Sequence, residues 1–234
     1  MAGKLYLLPT TLGDTPWELV LPATIHTVIM DCKHFIVENE RTARRFLKKV
    51  ERSIVIDDLE FYVLNKRTTK DELSSFLKPL GKDLNIGLMS EAGCPGIADP
   101  GADIVAMAQQ REYKVVPIVG PSSIFLSLMA SGLNGQNFGF NGYLPIQKPD
   151  RIAAIKELER RTSRGKSTQI FIETPFRNNH LFDDIISSCA PNTKVCVAVD
   201  ITLETEMIVT KTVAQWKHNK PNLHKRPAIF LISQ

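Results

Sequence analysis

The sequence has no long hydrophobic run. Its most apolar stretches, such as 115–118 and 229–232, are only a few residues long, whereas a membrane-spanning helix needs about 20 apolar residues. Near the N-terminus, one lysine and a short apolar run end at Pro9, which is too short for a secretory signal peptide. We therefore expect a folded protein of the cytoplasm that neither crosses a membrane nor is exported.

Cysteine is scarce, and its spacing is uninformative. Cys32, Cys94, Cys189 and Cys196 form no C-x-x-C pair and have no nearby histidine at zinc-ligand spacing. A chain of 234 residues does not need disulfides to fold, so reduced cysteines in the cytoplasm are the simplest interpretation. No metal site is predicted.

Common cofactor motifs are missing as well. The loop that follows the first predicted strand, 9–14, lacks the G-x-G-x-x-G pattern of dinucleotide folds, and neither a Walker A sequence nor H-E-x-x-H occurs. The net charge is only +4, which permits an anionic partner without requiring one. No such signature therefore identifies the ligand.

What the sequence does contain is an alternation of strands and helices, which favours a parallel α/β sheet. The predicted strands are 4–8, 35–37, 84–89 and 114–119, and the predicted helices are 41–52, 69–77, 103–110 and 122–130. We assign a further strand, 137–143, to the same domain. Two prolines then interrupt the pattern, and we place the domain boundary near residue 145.

The second predicted domain, 146–234, also mixes strands and helices. It begins with a charged helix at about 151–161 and continues with a helix at 179–188 and strands at 169–172, 194–199, 207–210 and 228–233. The fold class is therefore α/β, with two domains covering 1–145 and 146–234.

The most informative segment is rich in glycine and follows a buried strand. Residues 90–101 read Ser-Glu-Ala-Gly-Cys-Pro-Gly-Ile-Ala-Asp-Pro-Gly. Glycines let backbone groups approach a ligand that a Cβ would block, and Asp99 and Pro100 are predicted to cap and open the next helix. Ligands bind at the carboxyl ends of parallel strands, so we interpret the segment as a ligand loop rather than an ordinary tight connection.

Other loops and basic stretches leave alternatives open. The residues 120–123 (Gly-Pro-Ser-Ser) and 173–177 (Glu-Thr-Pro-Phe-Arg) follow predicted strands and could bind a ligand or cap a helix. The basic stretches 41–52, 148–166 and 217–226 are interpreted as solvated faces. They would contact RNA phosphates only if they line one surface.

Together these loops resemble the tetrapyrrole methylase superfamily, and within it the branch that methylates a cytidine 2′-hydroxyl of small-subunit ribosomal RNA. Segment 90–101 is similar to the family pattern Ser-Asp-Ala-Gly-x-Pro-Gly-x-x-Asp-Pro-Gly, with Glu91 in place of Asp. The similarity continues through 5–13, 116–123, 130–133, 140–145 and 173–177. The resemblance implies two α/β domains of the tetrapyrrole methylase type with S-adenosylmethionine in the cleft between them, and a homodimer.

The resemblance also implies which residues bind S-adenosylmethionine. In the first domain they belong to the loops that follow strands: Pro9, Gly13, Gly93, Cys94, Pro95, Gly96, Ile97, Asp99, Pro121, Ser122 and Ser123. The adenine is expected against the second domain, near Thr174 and Pro227.

Two family patterns are altered in this chain. The Ala-Glu-Asp-Thr-Arg pattern after the second strand reads Val-Glu-Asn-Glu-Arg at 37–41, and the Ala-Arg-Glu-Leu-Thr-Lys pattern reads Ala-Val-Asp-Ile-Thr-Leu at 198–203. The second change removes an arginine and a lysine that an RNA substrate would favour. The methyl acceptor is therefore left open.

Methyl transfer from a sulfonium is an in-line displacement that needs no metal, and the protein contributes mainly by aligning donor and acceptor. A hydroxyl acceptor must also lose a proton, for which Glu38 is the first candidate base and Glu40 and Asp99 are the others. The leading hypothesis is a methyltransferase whose partner is RNA or the small ribosomal subunit. The alternatives are a methyltransferase for a tetrapyrrole or another small molecule, and a protein that binds S-adenosylmethionine without catalysis.

Overall fold

The computed structural model describes residues 2–234. The chain divides into two compact units, the first up to Ser122 and the second from Ser123 to Gln234, and each is built around a five-stranded sheet. Within the described part of the chain, none of the helices combines the length and the apolar character that a membrane span requires.

The first unit is a parallel sheet with helices on both faces. Its strands are β1 (Lys4–Leu8), β2 (His34–Val37), β3 (Glu60–Val63), β4 (Ile86–Met89) and β5 (Lys114–Pro117). Its helices are α1 (Thr24–Met30), α2 (Glu40–Val50), α3 (Lys70–Phe76) and α4 (Gly101–Gln110). The strand order is β3-β2-β4-β1-β5 and every pairing is parallel, as the alternation of elements predicts.

Two apolar layers hold this sheet. One includes Phe35 and Leu47 and lies on the side of α1 and α2, whereas the other includes Ile36 and Ile104 and lies on the side of α3 and α4. Successive residues of a strand point to opposite faces, so a strand covered on both sides is apolar along its whole length. The central strand β4 is buried at all four positions for this reason.

Helix α2 begins where its sequence provides a cap. The Asn39 side chain accepts hydrogen bonds from the N–H groups of Arg41 at 3.0 Å and Thr42 at 3.4 Å, which satisfies donors that have no partner inside the helix. One face, which includes Ala43 and Leu47, is buried in the core. Helix α3 begins with the capping box that Thr69 and Glu72 predict.

The parallel register brings several loops to one edge of the sheet. Leu8 of β1 pairs with Met89 of β4, Val37 of β2 also pairs with Met89, and Leu7 pairs with Pro117 of β5. The segments that follow these four strands therefore begin side by side at their carboxyl ends, where open α/β sheets bind ligands.

The second unit contains a mixed sheet. Its strands are β6 (Phe138–Tyr143), β7 (Thr168–Ile172), β8 (Lys194–Val199), β9 (Met207–Thr212) and β10 (Ala228–Ser233). Its helices are α5 (Ser123–Ser131), α6 (Lys148–Gly165), α7 (Asn178–Ser188) and α8 (Val213–Trp216). The order is β6-β7-β10-β8-β9, in which only the β6–β7 pairing is parallel.

The division of the chain differs from the boundary predicted near residue 145. Strand β6 pairs with β7, with Phe138 opposite Thr168, and α5 packs against β9 and β10, so both belong to the second unit. The two prolines in the segment predicted as a linker do not mark a boundary, because Leu144 is buried in the second core and α6 begins at Lys148.

Candidate active site

Backbone hydrogen bonds join the loop after β1 to the glycine-rich loop after β4. Thr10 and Gly93 form an isolated antiparallel bridge, in which the Thr10 N–H donates to the Gly93 carbonyl at 3.0 Å. Gly93 has a φ of +76°, and a Cβ there would lie 3.1 Å from the Leu12 side chain and from the Pro121 carbonyl oxygen. Backbone conformation and close packing thus both favour glycine at this position.

Asp99 organises the second half of the glycine-rich loop. Its carboxylate accepts hydrogen bonds from the Gly96 N–H, at 2.9 Å to each oxygen, and from the Gly101 N–H at 2.7 Å. Burial raises the pKa of Asp99, and these two N–H groups oppose the shift. The prediction that Asp99 caps the helix and Pro100 opens it is off by one residue, because α4 begins at Gly101 and Pro100 is at the cap position. The Asp99 carboxylate still binds the first N–H of α4, and it also binds the Gly96 N–H.

The tip of the same loop is open. Gly96 has a φ of +84° and no other atom within 4 Å of where its Cβ would be. Ile97 is 54% exposed, although the neighbouring Pro95 is buried. The surface above Gly96 and Ile97 is therefore free for a ligand to approach the backbone.

The loop after β5 closes against the other two. A Cβ on Gly120 would lie 2.2 Å from the Cβ of Pro9, and the Cys94 sulfur lies 3.4 Å from the Pro121 carbonyl oxygen. Burial raises the pKa of the Cys94 thiol. The structure thus gathers Pro9, Cys94 and Pro121 around Gly93, whereas Ser122 ends the first unit and Ser123 begins α5.

A cavity of about 340 Å³ lies beside these loops and is formed by the first unit alone. It is bordered by the loop after β1, the end of β2, one face of α2 and the start of the loop after β4. The lining side chains and backbone include Thr10, Gly13, Glu38, Thr42, Arg45, Lys49 and Glu91.

Glu38 is half-buried in the wall of this cavity. One of its carboxylate oxygens accepts a hydrogen bond from the Glu91 N–H at 3.1 Å, and the Glu91 carboxylate accepts one from the Thr42 hydroxyl at 2.5 Å. Burial raises the pKa of Glu38; the Glu91 N–H opposes this, and the carboxylates of Asp99 and Glu91 raise it further. A half-buried carboxylate with a raised pKa, open to a cavity, is a candidate for proton transfer.

The other two candidate bases are engaged elsewhere. Glu40 forms an ion pair with Arg44 on the exposed side of α2, and Asp99 is held by the N–H groups inside its own loop. Glu38 therefore has the position that fits a base best, and its catalytic role stays a prediction.

The face of α2 that lines the cavity, which includes Thr42, Arg45 and Lys49, was not assigned to the site by sequence. The basic stretch of α2 was interpreted as a solvated face. Positions 42, 45 and 49 lie on one face of a helix, and that face directly follows Glu38. The spacing of positions 42, 45 and 49 was the sequence signal that could have identified this face of the helix as part of the site.

Thr174 and Pro227 lie in the second unit, at the same end of neighbouring strands. Ile172 of β7 pairs with Ile229 of β10, and the Lys225 N–H donates to the Pro175 carbonyl at 3.0 Å. The two segments are thus adjacent, as an adenine contact shared by Thr174 and Pro227 would require, and that contact stays a prediction.

The turn after β7 is held by an ion pair. The buried Glu173 carboxylate accepts hydrogen bonds from the Arg177 guanidinium and from the Thr174 N–H, each at 2.6 Å. Burial alone would raise the pKa of Glu173, but the contacts with Arg177 and Thr174 outweigh it and hold the pKa below its usual value. Residues 173–177 therefore form a locally stabilised turn; whether they also bind a ligand stays a prediction.

The chain is similar to several curated methyltransferases along most of its length. It is 31% identical over 216 residues to ribosomal RNA small subunit methyltransferase I of Halalkalibacterium halodurans, which covers 92% of this chain and 70% of that protein. The enzymes of the same name from Vibrio cholerae and Escherichia coli O157:H7 are 28% and 26% identical over 99% and 98% of this chain, and each is covered to 77%.

The fold is also similar to a solved structure. The crystal structure of the methyltransferase CobJ matches with a TM-score of 0.66 over 100% of this chain and 95% of its own, at 14% sequence identity. At that identity the likeness shows the fold alone. No family model matches the chain.

Proposed function

Because this chain belongs to the family of ribosomal RNA small subunit methyltransferase I, within the tetrapyrrole methylases, we propose that it methylates a ribose 2′-hydroxyl of ribosomal RNA. It is a methyltransferase that uses S-adenosylmethionine. The observation that carries the choice of acceptor chemistry is the cavity that holds Glu38 beside the glycine-rich loop.

The loops of the first unit are suited to contact the methyl donor, S-adenosylmethionine, through their backbone. At Gly93 a Cβ would make tight contacts with Leu12 and Pro121, and at Gly96 the space where a Cβ would lie is open. We propose that Pro9, Gly13, the segment 93–97 and Pro121–Ser123 contact S-adenosylmethionine. When bound, it supplies an electrophilic methyl group.

Glu38 would act on the acceptor rather than on the donor. Its carboxylate accepts the proton of the 2′-hydroxyl as the oxygen attacks the methyl carbon, so that no free alkoxide has to form. The Glu91 N–H holds one oxygen of Glu38 and leaves the other for the hydroxyl. The cavity walls keep the hydroxyl oriented, which is the main contribution of a protein to a displacement reaction.

The character of the cavity wall favours RNA over a tetrapyrrole. Apolar residues such as Phe46 and Met89 form part of the wall, but Glu38 can accept a hydroxyl proton, and the cations Arg45 and Lys49 suit the phosphates of RNA. We further propose that the enzyme works in the cytoplasm as a homodimer. The exposed Phe125 and Met129 lie one turn apart on α5 and are side chains that a subunit interface would cover.

The test is transfer of a labelled methyl group by the purified protein. Small-subunit ribosomal RNA, small ribosomal subunits and a tetrapyrrole precursor are offered separately, and we expect label only in RNA. RNA that already contains 2′-O-methyl groups at the labelled position should accept none. Labelling of the tetrapyrrole alone contradicts the proposal. Binding of S-adenosylmethionine without transfer to any acceptor would instead support a non-catalytic protein.

A further inference from the structure

Two cations of α2 face the cavity that contains Glu38. Arg45 and Lys49 are one turn apart, and both line the cavity together with Thr42. The carboxylates of Glu38 and Glu91 lie at the first turn of the helix, because Thr42 donates to Glu91. Since a helix rises about 1.5 Å per residue, Arg45 starts about 4.5 Å further along the axis than Thr42.

These two cations are available to a ligand. Among residues 2–234, the Arg45 guanidinium has no hydrogen-bond or ion-pair partner. Lys49 Nζ lies 2.8 Å from a carboxylate oxygen of Asp14, whose side chain is fully exposed. Exposed ion pairs of this kind contribute little, so an anionic ligand can replace Asp14 at low cost.

Two other cations on the same helix are already engaged. Arg44 forms an ion pair with Glu40 and lies over the Phe61 ring, 5.3 Å from its centroid. Lys48 donates to the Arg52 carbonyl at 2.9 Å. Neither lines the cavity, so α2 has one basic face that is occupied and one that is available.

The charges of the available face are complementary to those of a nucleotide within an RNA strand. The 2′-oxygen and the 3′-phosphate of a ribose sit on neighbouring carbons, so a hydroxyl at Glu38 places a phosphodiester a short distance away. The acidic groups that border the cavity are Glu38, Glu91 and Asp14. Two of them lie at the hydroxyl position, and the third is the exposed partner of Lys49.

We propose that Arg45 and Lys49 form a subsite for the phosphodiester next to the acceptor ribose, so that the cavity takes the sugar and its 3′-phosphate as one unit. The inference rests on the proposed function and deepens it. It assigns to α2 the selection of a nucleotide inside an RNA strand over a free nucleoside. Arginine suits this role because its guanidinium can bind a phosphate with two N–H groups.

The test compares two double variants of one helix. Arg45→Ala/Lys49→Ala removes the available face, and Arg44→Ala/Lys48→Ala removes the same charge from the occupied face. Binding of a short single-stranded RNA is measured by fluorescence anisotropy at several salt concentrations. We expect the first variant to bind about tenfold more weakly, with a logarithmic salt dependence that is smaller by about 0.7, the value for one phosphate contact. The second should stay within about twofold of the wild type, the range of exposed charges.

Kinetics and donor binding complete the comparison. In the first variant the KM for RNA should rise much more than kcat falls, Arg45→Lys should restore part of the loss, and the affinity for S-adenosylmethionine should be unchanged. Circular dichroism and thermal melting show whether each variant is folded. Equal weakening by both double variants overturns the subsite, because the effect would then be general electrostatics, and so does wild-type binding by the first variant.

The outcomes also separate this inference from the proposed function. If the wild type labels RNA and the two double variants behave alike, only the phosphate subsite is wrong. If the wild type binds S-adenosylmethionine but neither binds nor labels RNA, the proposed function is wrong and the subsite fails with it.

Discussion

The strand-end loops of the two units are held in different ways. In the first unit, the loops after β1 and β4 are joined by the Thr10–Gly93 bridge, and Gly93 and Gly96 have positive φ. In the second unit, the turn after β7 and the approach to β10 are held by two ion pairs, Glu173–Arg177 at 2.6 Å and Asp200–Arg226 at 2.7 Å.

The difference separates loops that are held by their own backbone from turns that are held by charged side chains. Loops held by backbone hydrogen bonds and glycines carry few side chains between the ligand and the main chain. A turn held by a buried carboxylate is stable only while its cation is present, because an unpaired buried charge is costly. We therefore expect changes in the first region to alter catalysis or packing, and changes in the second to alter stability in a way that depends on pH.

The largest effect should come from Glu38→Gln. The amide keeps the shape of the side chain but cannot accept the proton of the hydroxyl, so kcat for RNA methylation should fall about 100-fold or more. The affinity for S-adenosylmethionine, measured by calorimetry, should not change. Glu40→Gln is the matched control, because Glu40 pairs with Arg44 on the exposed side of the same helix. Equal losses in both variants would contradict a specific role for Glu38.

The next effect concerns the packing of the first region. A methyl group on Gly120 would lie 2.2 Å from the Pro9 ring, and neither the ring nor the backbone can move away freely. We expect Gly120→Ala to lower the free energy of unfolding by about 3 kcal/mol, as measured by denaturant titration, and to weaken S-adenosylmethionine binding. Gly135→Ala meets no atom within 4 Å and should change stability far less.

A smaller effect should come from the ion pair of the second region. Arg177→Met leaves the buried Glu173 carboxylate without its cation. We expect a loss of about 2 kcal/mol at pH 7, less than for a fully buried pair because Arg177 is 35% exposed.

The pH dependence of this loss has a definite sign. The folded pKa of Glu173 is lowered, so its contribution to stability is complete above the unfolded pKa, about 4.3, and disappears as the pH falls through the folded value. The wild type and Arg177→Met should therefore converge in acid. A difference that stays constant from pH 7 to pH 3 would show that Arg177 acts through packing alone.

The smallest effect concerns the pKa of Glu38. The Glu91 carboxylate raises the pKa of Glu38, and Glu91→Gln removes that charge while keeping an oxygen that can accept from Thr42. Since Glu38 must be deprotonated to act as a base, the acid limb of kcat/KM should move to lower pH. A shift to higher pH, or no shift, would contradict the electrostatic coupling of the two carboxylates.

Sequence patterns predicted those elements whose signals are local. The continuous apolar residues of β1 and β4 predict buried parallel strands, and Thr69 with Glu72 predicts the start of α3. Strand β3 was not predicted, although residues 61–64 are a short apolar run; it is a four-residue edge strand with exposed ends.

Pairing and side-chain direction could not be predicted in the same way. The sequence of β6 shows that it is a strand, but its partner is β7, beyond the long helix α6, and nothing in residues 138–143 specifies that choice. The glycine-rich loop was located correctly because glycine and proline act on their own backbone. The cavity was missed because it depends on which face of α2 packs inward.

The two faces of α2 can change independently. Ala43 and Leu47 are fixed by the core, whereas Arg45 and Lys49 carry no packing that the sheet depends on. Substitutions of Arg45 and Lys49 are therefore expected to leave the core of the first unit intact. A lineage could exchange one methyl acceptor for another through a few positions of this helix, which is a short evolutionary path between enzymes that share a donor and differ in what they modify.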